Sequence, residues 1–235
     1  MWGCYCWIVL KNRTNCHLAL GHYIPDWKKF IAGKVVLAKK GNQPGKTNTN
    51  SRVPAGQNQV KNFPVLDIGI KPTVTKEEWS LHVYGLVENE LLLDWAAFLA
   101  LPQITDVSDF HCVTRWSQLD MEWQGVRAQH VLALVAPLST AKFVTLHGYD
   151  GYTTNIALEA LLDDDVIIAH SVLGAPLTRE HGGPVRMVVP KRYAWKSAKW
   201  LKAIELHAED KPGFWEVRGY HNYADPWREE RFSND

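Results

Sequence analysis

Little in this chain would staple, export or anchor it. Four cysteines occur in 235 residues, and three of them (Cys4, Cys6, Cys16) crowd the first sixteen positions, leaving Cys112 alone in the body. A lone body cysteine excludes a disulfide framework. No stretch approaches the ~20 apolar residues of a membrane-spanning helix. The apolar run Cys4–Leu10 is followed, not preceded, by Lys11 and Arg13, the reverse of a secretory layout. No Arg-Arg pair occurs, so a twin-arginine signal is missing too. A cytoplasmic location without membrane insertion is the expectation. GxGxxG, Walker sequences and internal repeats are also lacking, so nothing indicates a nucleotide fold or a solenoid.

Net charge is nearly absent at +1, but it is unevenly spread. Residues 1–62 hold ten Lys/Arg against Asp26 alone, whereas residues 63–235 sum to −8. Residues 1–50 therefore read as a basic, poorly structured leader and 51–235 as one domain. The first forty positions differ so much from the rest that a misassigned start codon would explain them. Basic–aromatic interleaving is missing, so no nucleic-acid partner is expected. Cys4, Cys6, Cys16, His17 and His22 match no familiar zinc spacing. Eleven tryptophans read as packing anchors.

Residues 40–59 are polar and Gly/Pro-interrupted, so they read as linker, with the body starting near Val60. Trp79–Val87 alternates as a half-buried strand with Trp79, Leu81 and Val83 on one face. Asp94 N-caps a short helix, Trp95–Ala100, stopped by Pro102. Thr105–Val113 reads as a strand and Arg127–Val135 as a helix. Short strands follow at 142–147, 152–156, 166–170, 185–189 and 200–206. Many short strands with a few short helices give an α+β fold of mixed sheets.

Three stretches carry chemistry. The first is Asp109-Phe110-His111-Cys112-Val113-Thr114-Arg115-Trp116-Ser117. Cys112 is either an inert buried hydrophobe, a nucleophilic thiolate or a soft metal ligand. A strand sets His111 on the face opposite Cys112, which makes it a poor general base for that thiol. The second stretch, 179–202, holds Arg179, Arg186, Lys191, Arg192, Lys196, Lys199 and Lys202 against Glu180 alone. It is either a solvated basic face or a phosphate cradle that Gly182, Gly183 and Ser197 let approach. The third, 213–232, interleaves Trp215, Tyr220, Tyr223 and Trp227 with charges and reads as C-terminal packing, in which one tyrosine could relay protons or shape a pocket.

These residues resemble a known family. The run around Cys112, His181-Gly182-Gly183-Pro184-Val185-Arg186, Val188-Val189-Pro190 and Lys199-Trp200-Leu201 are similar to the molybdopterin-binding domain of sulfite oxidase-like proteins. Phe63-Pro64-Val65, Gly219-Tyr220 and Pro226-Trp227 fit the same pattern, so the resemblance covers about residues 52–231. Cys112-Val113-Thr114-Arg115-Trp116-Ser117 departs from the Cys-Ala-Gly-Asn-Arg of sulfite oxidases. It is closer to the bacterial methionine sulfoxide reductase catalytic subunit.

The resemblance implies a mixed-sheet α+β fold and a molybdenum–molybdopterin cofactor whose metal is held by Cys112. It implies pterin and phosphate contacts from Lys61, Phe63, Pro64, Val65, Gly148, His181, Arg186, Ser197, Ala198 and Lys199. The reaction implied is oxygen-atom transfer on a small oxyanion, S-oxide or N-oxide. Arg115 is expected to attract the S=O or N=O group and Tyr220 to relay protons. An unidentified electron donor or acceptor protein completes the cycle. Two other classes stay open: a metal-free thiol enzyme acting through Cys112, and a non-catalytic cofactor-binding or interaction protein.

Overall fold

A computed structural model describes residues 52–235. The basic leader, with Cys4, Cys6, Cys16, His17 and His22, lies outside the described residues. In chain order come β1 (Asn58–Gln59), β2 (Ser80–Gly85), β3 (Leu91–Asp94), α1 (Trp95–Ala100), β4 (Ile104–Cys112) and β5 (Trp116–Arg127). Next are α2 (Ala128–Val135), β6 (Phe143–Gly148), β7 (Thr153–Ala157), α3 (Leu158–Leu161) and β8 (Ile167–Val172). β9 (Ala175–Pro176), β10 (Arg186–Val188) and β11 (Leu201–His207) complete the strands. The α+β expectation holds, with two mixed sheets and only short helices. Among the described residues no helix is long and apolar enough to cross a membrane.

β5 is the spine of the first sheet. One edge takes β4 antiparallel. The other takes β1 in parallel at Trp116 and Ser117 and β8 antiparallel from Trp123 to Arg127. β8 then receives β9 and β10. The second sheet runs β3–β2–β11–β6–β7, with β2 and β11 parallel. Alternation explains which faces are buried: Trp79, Leu81 and Val83 are inside, and so are Met121 and Trp123, while Glu122 and Gln124 between them are exposed. Sequence reasoning passed over β5 because Ser, Gln, Asp and Glu dilute it, although the alternation is visible once the strand is placed.

Local chemistry sets the boundaries. Asp94 Oδ1 accepts from the Ala97 N–H at 2.8 Å and caps α1, as its position suggested. Arg127 belongs to β5, so α2 starts one residue later than expected. At Gly125 the β5–β8 register shifts, and an added Cβ would sit 2.0 Å from the Ile168 carbonyl oxygen. Gly125→Ala is therefore expected to cost about 3 kcal/mol or more through forced separation of the strands, read as a lower denaturation midpoint. A midpoint equal to that of the parent would show that the bulge can absorb the methyl group.

The linker expectation for 40–59 is corrected at its described end. Val53 and Gln57 are buried, and Asn58–Gln59 form β1. The reason is an unfilled edge: Asn58 N–H donates to Arg115 O and Val60 N–H to Ser117 O, each at 2.9 Å. A polar segment can join a sheet through backbone bonds alone, and composition does not reveal that.

Candidate active site

The two sheets leave between them a cavity of about 190 Å³. Three parts of the chain that the sequence sets far apart build most of its wall, and Asp150, Tyr152, Trp215 and Tyr220 complete it. The first is the tip of the β4–β5 hairpin. Cys112 pairs with Trp116 across a three-residue turn, and Cys112, Val113, Thr114 and Trp116 all line the cavity. The Cys112 thiol is buried, 3.2 Å from Thr114 Oγ1, and burial raises its pKa. His111 faces elsewhere: its Nδ1 lies 2.8 Å from Ser117 Oγ and its ring packs edge-on to Trp227. Burial pushes His111 down to about 4. A thiol of raised pKa without a histidine base is a poor nucleophile, which removes the support for a metal-free thiol enzyme.

The second part is the segment preceding and following β10. Arg186 is 2% exposed, and its guanidinium donates to His181 O at 2.9 Å and Ser197 O at 3.1 Å. It lies 5.3–5.8 Å from the ring centres of Phe110, Trp123 and Phe63. Among the described residues no carboxylate pairs with it, and burial lowers its pKa to about 9, so it stays a cation at neutral pH. A buried guanidinium facing only carbonyls and aromatic faces is costly unless an anion arrives. Lys199 also lines the cavity, its Nζ donating to Glu180 O at 2.5 Å and Leu66 O at 2.6 Å. Gly182, at φ +99°, allows this approach, since a Cβ there would lie 2.8 Å from Lys199 Cβ.

The third part is a strap over residues 63–68, of which Phe63, Pro64, Leu66, Asp67 and Ile68 reach the cavity. His181 holds it by stacking on Phe63 at 4.2 Å, with Nε2 3.1 Å from Phe63 O. Arg179 adds bonds to Pro72 O at 3.1 Å and to Lys71 O. A thiol on one wall and a buried cation on another suit a soft metal carried by an anionic organic group. The residues present therefore fit molybdopterin.

The family model for the oxidoreductase molybdopterin-binding domain matches residues 68–215. The chain belongs to this family. It is 45% identical over 197 residues to the uncharacterized oxidoreductase YuiH of Bacillus subtilis, covering 81% of this chain and 98% of that protein. It is 26% identical over 166 residues to the protein-methionine-sulfoxide reductase catalytic subunit MsrP of Campylobacter jejuni, covering 63% of this chain and 56% of that one. The sulfane dehydrogenase SoxCD of Paracoccus pantotrophus shares the fold at a TM-score of 0.55 and 24% identity, over 60% of this chain and 41% of that chain. The chain thus spans little more than half of MsrP and less of the SoxCD chain, but nearly all of YuiH. It is a molybdopterin-dependent oxidoreductase, and molybdenum–molybdopterin is its cofactor.

The expected site residues of this oxidoreductase divide in two. Cys112, Phe63, Pro64, Arg186, Ser197, Lys199 and Tyr220 line the cavity. His181 and Ala198 support it from behind, Ala198 O accepting from Met187 N–H at 2.9 Å. Gly148 brings Asp150 and Lys199 together, because a Cβ there would lie 2.4 Å from Asp150 Oδ1 and 2.9 Å from Lys199 O. Lys61 and Val65 are exposed and off the cavity wall. Arg115 is off it as well: its Nη1 reaches Gly56 O at 3.4 Å, because the last residue of the hairpin turn has φ +71° and turns the side chain away.

Sequence reasoning missed Trp116, Trp195, Trp215, Asp150 and Tyr152, all of them in the wall. Four of the tryptophans read as packing anchors, Trp116, Trp195, Trp200 and Trp215, line the cavity. Trp195 and Trp215 pack on Tyr220 at 5.1 and 4.9 Å. Burial, then the nearby Cys112, raises Tyr220. Lys196, one of the basic cluster, is buried away from the cavity on Glu216 Oε1 at 2.6 Å, an oxygen that also accepts from Trp195 Nε1 at 2.9 Å. The basic stretch thus supplies two cavity cations, Arg186 and Lys199, and spends the rest on the scaffold.

Asp150 makes a pH prediction. Burial raises it to about 6, against the Tyr152 N–H that it accepts at 3.0 Å and the charge of Lys199. The fold thus favours the protonated acid. Its contribution to apoprotein stability is fully present below pH 3.8 and is lost as pH rises through about 6. The span corresponds to roughly 2–3 kcal/mol. In Asp150→Asn this loss disappears, so the denaturation midpoints of parent and variant should separate between pH 4 and 6. Parallel pH profiles would refute the assignment.

Proposed function

We propose that this oxidoreductase removes the oxygen atom from a small, uncharged S-oxide, and that Cys112 would be the protein ligand to the molybdenum of its cofactor. The observation that carries this reading is the cavity wall around Cys112. The side chains near it are Thr114, Trp116 and Tyr220, with Trp195 and Trp215 packed on Tyr220, and the charges of Arg231 and Lys199 also reach the thiol. Arg115, the cation expected to draw an oxyanion, is directed at Gly56 instead. Arg186 and Lys199 serve the phosphate of the pterin. An aromatic wall favours a thioether oxide over sulfite or nitrate, which would require a desolvated cation beside the metal. The similarity to MsrP, a protein-methionine-sulfoxide reductase catalytic subunit, supports the same substrate class.

The bound cofactor supplies a metal that exchanges oxygen while changing its oxidation state by two electrons. The protein binds and orients. Arg186, Lys199 and Ser197 hold the anionic end, Phe63 and Pro64 cover the ring system, and the Tyr220 hydroxyl donates to the S=O oxygen. Net reduction removes oxygen from sulfur and yields a thioether and water, consuming two protons and two electrons. An electron-carrying protein is the source of those electrons. The test is purification from a cofactor-producing host, molybdenum counted per chain, then turnover of dimethyl sulfoxide, methionine sulfoxide and nitrate with a reduced dye and of sulfite with an oxidised one. Near-stoichiometric metal with sulfoxides turned over fastest is expected. Faster nitrate or sulfite turnover would overturn the substrate class, and absence of molybdenum the whole reading.

A further inference from the structure

Behind the Cys112 hairpin, two buried side chains from opposite ends of the described chain grip its backbone. The turn itself is tight: Arg115 N–H donates to Cys112 O at 3.0 Å, with Arg115 in the left-handed region at φ +71°. That conformation costs a residue bearing a Cβ on the order of 1 kcal/mol, so it persists only where neighbours hold it. Gln57 Nε2 donates to the same Cys112 O at 3.0 Å. Arg231 Nη1 donates to Val113 O at 2.9 Å, and its Nη2 reaches Ala55 O at 3.4 Å. Gln57 and Arg231 are each 3% exposed.

Arg231 is an expensive way to fill space. Its guanidinium lies over the Tyr193 ring at 4.9 Å, and its carboxylate neighbour, Glu229, is 3.7 Å away and half exposed. Burial lowers its pKa. An alkyl side chain would occupy the same volume without desolvating a charge. A planar fork, however, fixes the direction of the carbonyls it binds. Cys112 O, held by Gln57, belongs to the peptide that follows the cysteine and Val113 O to the one after it, so together their directions bear on where Sγ points.

We propose that Arg231, assisted by Gln57, is a positioning residue that aims the Cys112 thiolate at the metal. This rests on the reading of Cys112 as ligand. The test uses holoenzyme carrying Arg231→Met, Arg231→Lys, Gln57→Met or Cys112→Ser. Each is measured for molybdenum per chain, the charge-transfer band of the cysteine sulfur (the parent spectrum less the bands of the pterin's own sulfurs), reduction potential and sulfoxide kinetics. Arg231→Met is expected to keep its molybdenum while the band shifts and weakens. Its kcat should fall by on the order of 10- to 100-fold at unchanged KM, as for a misplaced reacting group. Arg231→Lys retains a donor and should recover part of both signals, and Gln57→Met should move them in the same direction by less. A normal band and potential in Arg231→Met, with the band lost in Cys112→Ser, would overturn the clamp alone. A band that survives Cys112→Ser would overturn the ligand assignment and the clamp with it. If Arg231→Met does not fold, normal spectra in both Arg231→Lys and Gln57→Met would be the refutation.

Discussion

Cys112→Ser is expected to leave a folded protein with turnover reduced by at least about 100-fold, beyond what loss of an outer-shell partner of a metal ligand typically costs. The stability side of this expectation follows from the site. The thiol is buried and, among the described residues, its one side-chain partner is Thr114 Oγ1, which a serine hydroxyl can also engage. The exchange of sulfur for oxygen should therefore change stability by only about 1 kcal/mol. The activity side follows from softness: a neutral hydroxyl is no substitute for a thiolate as donor to this metal. The measurement is kcat per bound molybdenum beside a thermal melt. Equal turnover in parent and variant would remove Cys112 from the metal, and a collapsed melt would make the serine uninformative, leaving Cys112→Ala to decide.

Arg186→Met is expected to move stability and cofactor affinity in opposite directions. In the apoprotein the guanidinium is buried against His181 O, Ser197 O and three aromatic rings, with no carboxylate paired to it among the described residues. Exchange of a buried ion for a well-packed apolar side chain often stabilises by about 1–4 kcal/mol, and methionine follows the path of the arginine stem. With cofactor bound, the same change removes a desolvated cation from an anionic group, a loss of roughly 2–5 kcal/mol, or about 30- to 5000-fold in affinity. A raised melting temperature for apo variant, together with pterin lost on gel filtration, is the expected pair. A lowered apo melt with cofactor retained would make Arg186 a structural residue.

How far the sequence led depends on the kind of signal. Strands such as β2 and β11 announce themselves through alternation, and α1 through its Asp94 cap. Cys112, Arg186 and Lys199 stood out because a lone thiol and a reversal of local charge are visible without a structure. Phe63 and His181 were legible through motif resemblance and found each other as a stacked pair. What failed was direction. Arg115 follows the cysteine by three residues, yet one left-handed turn residue sends it to the rear of the hairpin. Tryptophans look the same in a sequence whether they fill a core or face a cavity, so Trp116, Trp195 and Trp215 were misjudged. Gln57 lay in apparent linker and Arg231 in a stretch read as C-terminal packing. Their partners are backbone carbonyls, which every residue has, so no side-chain pattern betrays them.

The grip on the cysteine hairpin also has a kinetic side. The bond from Arg231 to Val113 spans 118 positions, and that from Arg231 to Ala55 spans 176. Contacts so distant along the chain carry a large loop-closure cost and form after local strand pairings such as β4 with β5 or β6 with β7. The hairpin that carries Cys112 is thus made early and its orientation set late.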